Sequence, residues 1–158
     1  SEHLVSRSLR STGAAIDAAA AALDDGIAAV ASNFLAWFDS GPPDVGNQTR
    51  QILRQCSRPD EMLEVAERFQ ELSPDAAGNG SLMRTGTVAL SYLGNDQLLS
   101  EAAKRVSRLT HPHVDAQEAC VLWTLAIDRG VRGVGSWRTN MNEALAALPD
   151  PLRSIPPP

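Results

Sequence analysis

Apolar side chains return at helical spacing along nearly the whole chain. Ile27, Ala31, Phe34, Leu35 and Phe38 fall at i, i+4, i+7, i+8 and i+11, one face of an amphipathic helix that the breaker Gly41-Pro42-Pro43 stops. Leu63, Ala66, Phe69 and Leu72 repeat the pattern after Pro59-Asp60 and end before Ser73-Pro74. A further helix is predicted from about Ser81 to Leu93, with Leu82, Met83, Val88, Ala89, Leu90 and Leu93 apolar and Gly94-Asn95 as its stop. Asp96 is the expected cap of a helix carrying Leu98, Leu99, Ala102, Ala103 and Val106. Asp115, with Glu118 three residues on, reads as an Asp variant of the capping box, opening a helix whose inner face is Ala119, Leu122, Trp123 and Ala126.

The Ala-rich stretch from Ser11 to Ala31 fits one helix, or a helix interrupted near Gly13 or Gly26. No alternating strand pattern of useful length occurs, so the fold class is all-α. Residues 1–150 make one all-helical domain, and 151–158, half of them proline, make an extended tail.

Composition narrows the partners. The 158 residues suit one domain, with 43% hydrophobic and 21% charged positions, enough for a core. The net charge of −5 supplies none of the positive surface that dominates nucleic-acid affinity. Asp17, Asp24 and Asp25 cut the longest apolar run, so it is no membrane span, and no secretory signal opens the chain, which gives the cytoplasm as the expected compartment. Cys56 and Cys120 stand in neither a C-x-x-C pair nor a His ligand set and read as small buried apolar residues.

Three segments could carry chemistry. Gly78-Asn79-Gly80-Ser81-Leu82-Met83-Arg84 puts two glycines, an amide and a hydroxyl at the mouth of a helix, where close backbone approach and free N–H groups favour an anion such as a phosphate. The same residues fit a plain tight turn with an Asn or Ser cap. Leu109-Thr110-His111-Pro112-His113 sets two histidines before a helix, whose dipole favours the neutral imidazole, suited to hydrogen bonding or stacking. Spaced i, i+2 with only distant His3 besides, they make a poor metal pair. Gly41-Pro42-Pro43-Asp44-Val45-Gly46-Asn47-Gln48-Thr49-Arg50 is a turn-rich loop with exposed N–H groups that leads into a helix. Asp24 and Asp25 point about 100° apart on a helix and read as a solvated face.

In order and content these segments resemble the ADP-ribosylglycohydrolase family, which includes the dinitrogenase-reductase activating glycohydrolases and the J-type crystallins. Trp37, then Ser40-Gly41-Pro42-Pro43-Asp44-Val45-Gly46 and Thr49-Arg50, resembles the family's Trp, Gly-Pro, Gly and Thr-Arg block. Gly78 to Arg84 resembles its Gly-Asn-Gly-small-x-Met-Arg signature, and Leu109-Thr110-His111 its Thr-His block.

The resemblance implies an orthogonal helical bundle that binds ADP-ribose or an ADP-ribosylated protein and hydrolyses the glycosidic bond to the protein side chain, with carboxylate-held Mg2+. It implies ligand contacts for Gly46, Asn79, Gly80, Ser81, Met83 and His111. The family's Thr-Asp-Asp and Asp-x-Asp-Thr metal motifs are not in the sequence, which matches the middle of the family's domain. A fragment, a truncated gene product and a degenerate member all fit, as does an inactive ADP-ribose-binding or structural module. A bundle short of parts exposes apolar faces, so self-association is expected.

Overall fold

The computed structural model describes residues 2–135 and 137–146; the expected tail over 151–158 lies outside the described residues. All regular structure among them is helical: α1 (Glu2–Asp39), α2 (Asn47–Leu53), α3 (Met62–Leu72), α4 (Gly80–Ser91), α5 (Asp96–Arg108), α6 (Val114–Arg132) and α7 (Trp137–Ala146), with a 3-10 turn at Pro59–Glu61.

Of the alternatives for the Ala-rich stretch, the uninterrupted helix is the one formed. α1 runs through Gly13 and Gly26 and ends where Gly41 takes φ 72°, a conformation glycine adopts without strain. Asp24 and Asp25 are both exposed, as a solvated face requires, and Asp24 also pairs with Arg105 at 2.6 Å, tying α1 to α5.

The core has two sides. On one, α4, α5 and α6 pack together through Ala89, Leu99, Ala103, Cys120, Val121 and Leu125. On the other, Ala31, Leu53, Met62 and Leu109 are covered by Ile27, Phe34, Leu35 and Phe38 of α1, next to a smaller cluster of Ile52, Val65 and Ala66.

Several caps and faces differ from the sequence reading. Asn95, not Asp96, caps α5, its side chain accepting from the Leu98 N–H at 3.1 Å. His113 caps α6 through Nδ1, which accepts from the Asp115 N–H at 3.2 Å, so Asp115 lies inside the first turn and no box forms with Glu118. Glu118 is instead buried and paired with Lys104 at 2.7 Å.

The buried stripe of α6 is Ala116, Cys120, Val121, Thr124, Leu125, Ala126 and Asp128, while Trp123 is 40% exposed. Asp128 can be inside because Arg132 and the Gly94 N–H donate to it. Burial drives its carboxyl pKa up, but those bonds and the charges of Arg132 and Arg129 outweigh burial and leave it below its ordinary value.

In α3 the inward residues are Met62, Val65 and Ala66, and Leu72 is exposed. α4 departs furthest from its apolar pattern. It buries the small and polar residues Ser81, Thr85 and Ala89 and leaves Met83 and Leu90 exposed, and Leu93, expected within it, lies exposed beyond its end. The reason is close approach: a Cβ at Gly86 would lie 3.3 Å from Ile127 Cδ1 and 3.5 Å from Trp123 Nε1 on α6.

Candidate functional site

The ends of α2 and α4 meet the last turns of α1 around a cleft of about 360 Å³ lined by Phe34, Trp37, Asp44, Val45, Gly46, Thr49, Leu53, Gly80, Met83 and Arg84. Two of the three segments singled out in the sequence thus supply its walls. The third, Thr110-His111, is not among the lining residues; it packs beneath those walls, His111 as a floor under Gly78 and Gly80 and Thr110 against Arg84.

The glycines of α4's lead-in are there because of that floor. A Cβ on Gly80 would stand 2.9 Å from both Cε1 and Nε2 of His111, and one on Gly78 would stand 3.1 Å from Gln48 Oε1 and 3.4 Å from His111 Nε2. His111 is 2% exposed, so its ring has nowhere to retreat. Gly46, the N-terminal flank of α2, differs: no heavy atom comes within 4 Å of a Cβ built there.

Hydrogen bonds fix the floor. Arg84 donates from a terminal guanidinium nitrogen to Thr110 Oγ1, and Thr110 Oγ1 lies 2.8 Å from His111 Nδ1. A guanidinium only donates, so the Thr110 hydroxyl accepts from Arg84 and bridges it to the imidazole. Gln48 donates to the Thr110 carbonyl at 3.0 Å. Burial, then the charge of Arg84, lowers the His111 pKa from 6.5 to about 4. The imidazole is therefore neutral, as the sequence suggested, but for a different reason. The His111 backbone N–H donates to the Ser107 carbonyl at 2.7 Å, which places the residue at the end of α5, where a helix dipole favours the charged ring; desolvation wins.

Ser81 points inward, away from the cleft. Its hydroxyl accepts from Ser107 Oγ at 3.0 Å and lies 3.4 Å from Cys120 Sγ, while Thr85 Oγ1 reaches Cys120 Sγ at 3.3 Å and donates to the Ser81 carbonyl. Neither Asn79 nor Ser81 caps α4 with its side chain; Asn79 is exposed at its mouth. Met83 stands on the rim, 81% exposed.

Sequence reasoning placed Arg84, Thr49, Gln48 and Thr110 inside candidate segments and Phe34 on an apolar helix face, but assigned none of them a ligand contact. For Arg84 a signal existed: a lone cation in a turn whose inward neighbours are small. Its guanidinium carbon sits 4.5 Å from the Phe34 ring centroid, an interaction of about 0.5–2 kcal/mol against a desolvation of several kcal/mol. Burial accordingly lowers its pKa to about 10.

Among the described residues no group of three or more His, Cys, Asp or Glu side chains could hold a metal ion. No helix among them is long and apolar enough to cross a membrane.

An all-helical domain whose glycine-led helix opens on a cleft over a Thr-His floor defines a class, and comparison with known proteins agrees. A model of the ADP-ribosylglycohydrolase family matches residues 3–155, and the chain belongs to that family. Over 118 residues it is 30% identical to an ADP-ribosyl-[dinitrogen reductase] glycohydrolase of Rhodospirillum rubrum, a match covering 73% of this chain and 38% of that protein. The chain thus spans well under half the length of this relative. No solved structure matches it.

Proposed function

We propose that the chain supplies the ADP-ribose-binding face of a glycohydrolase acting on the bond between ADP-ribose and a protein side chain. The observation that carries this reading is the convergence of the Asp44–Thr49 and Gly78–Arg84 segments, far apart in sequence, on one cleft over Thr110-His111. In this reading Gly46, Gly80 and Met83 meet the ligand from the walls, and the exposed amide of Asn79 meets it at the mouth. Ser81 and His111 act from below, one holding α4 to α5 and the other holding the glycine lead-in at its height.

Metal-assisted hydrolysis needs several hard oxygen donors. The described residues do not fit a Mg2+ centre, since Asp44 is the one carboxylate among those lining the cleft. That favours ADP-ribose binding without hydrolysis by this stretch of chain as the second reading.

Calorimetric titration with ADP-ribose, with and without magnesium, tests both. We expect binding that magnesium does not alter and that Asn79→Ala weakens by about tenfold, the value of one good hydrogen bond. Absence of binding by the unaltered chain would overturn the proposal, and a strict magnesium requirement would overturn the second reading.

A further inference from the structure

Arg84 is a half-buried cation without a counter-charge. Among the described residues no carboxylate pairs with it, its one hydrogen bond goes to the neutral hydroxyl of Thr110, and its Nε is buried with no acceptor. Folded proteins pair or hydrogen-bond nearly every such group, and a guanidinium left short marks a place where a further acceptor belongs. Arg84 also lines the cleft. Phe34 beneath it and Thr110 beside it hold the fork still, so an incoming group meets a donor already desolvated and oriented. Asp44 lines the same cleft but is exposed and makes no ion pair with Arg84. The acceptor must therefore come from outside these residues.

We propose that Arg84 is the anchor for a phosphate oxyanion of the ligand that enters the Trp37–Met83 cleft. Guanidinium geometry suits a group offering two oxygens at once, and a phosphate satisfies the fork while supplying the missing charge. Only the identity of the whole ligand rests on the ADP-ribose reading; the anion site itself rests on Arg84 and the cleft.

The test uses the whole chain with inorganic pyrophosphate, ADP, ADP-ribose, adenosine and acetate as probes, read by thermal shift and by tryptophan fluorescence, with Arg84→Met and Arg84→Lys as variants. We expect pyrophosphate, ADP and ADP-ribose to raise Tm, and adenosine and acetate not to. Arg84→Met, which replaces an unpaired charge with an apolar stem of similar length, should keep or raise Tm while losing the response to all three. Arg84→Lys keeps the charge but not the fork and should bind about tenfold more weakly; it also serves if the Met variant does not fold. Full affinity for pyrophosphate and ADP-ribose in either variant would overturn the proposal, as would no response of the unaltered chain to any phosphate, or a response to acetate equal to that to pyrophosphate. Pyrophosphate and ADP binding through Arg84 with no binding of ADP-ribose would uphold the anion site and end the ADP-ribose reading instead.

Discussion

The two glycine lead-ins at the cleft look alike as sequence and differ as structure. Before α4, Gly78 and Gly80 lie against the His111 ring, and the space a side chain would take is already filled. Before α2, Gly46 faces open space and has an ordinary φ of −54°. A glycine before a helix thus has two physical meanings: one is demanded by the protein's own packing, the other is free of it. Only at the second can a substitution report on a ligand without first disturbing the fold.

The largest way to stress this contrast is pH. The His111 pKa is about 4 when folded against an ordinary 6.5, so between those values the unfolded chain binds the extra proton and stability falls with pH. At 1.36 kcal/mol per unit this removes about 2 kcal/mol by pH 5 and about 3 kcal/mol by pH 4. Urea midpoints measured from pH 7 to 5 should follow that slope in the native chain and flatten in His111→Gln. An equal slope in both would mean the ring is not held neutral beneath the glycines.

Next comes Gly80→Ala, where the added methyl meets the ring at 2.9 Å. Overpacking of this kind costs about 1–3 kcal/mol, which denaturant unfolding would read directly. Stability equal to the native chain's would show that the floor can give way.

Gly46→Ala is the matching substitution on the open side, and its effect on stability should stay within about 0.5 kcal/mol. Any loss of ADP-ribose affinity there belongs to the ligand. Asn79→Ala should be smaller still in stability, because its side chain makes no capping bond to lose; a drop of about 1 kcal/mol would mean a cap forms in solution. Self-association closes the series: light scattering should report a dimer or larger species, through exposed side chains such as Leu72, Leu90 and Trp123, and a clean monomer would refute it.

Much of the architecture was legible because helical spacing dominates: the stops at Gly41-Pro42-Pro43 and Gly94 were visible, and so were the three segments that meet. What the pattern missed is instructive. α4 was read as burying its long apolar residues, but its neighbours come too close for them, and hydroxyls and a thiol face inward instead. Caps were misplaced by a residue or two because Asp, Asn and His all cap by accepting from an N–H, and only the chain's exit angle decides which one does. Ser81 was assigned to the ligand side since its bond to Ser107, 26 positions away, leaves no local trace. Arg84 was passed over because its lack of a partner is a property of space, not of spacing.

The inward-facing hydroxyls also give the molecule a built-in gauge of its own motions. Cys120 is fully buried between Ser81 and Thr85, whereas Cys56 is only partly covered on the far side of the core, its thiol bonded to the Ile52 carbonyl. A thiol-labelling reagent therefore reads two different events in one experiment: Cys56 reacts when the α2 end breathes, and Cys120 only when α4, α5 and α6 part. A ligand seated in the cleft would slow the first clock and leave the second to the stability of the whole chain.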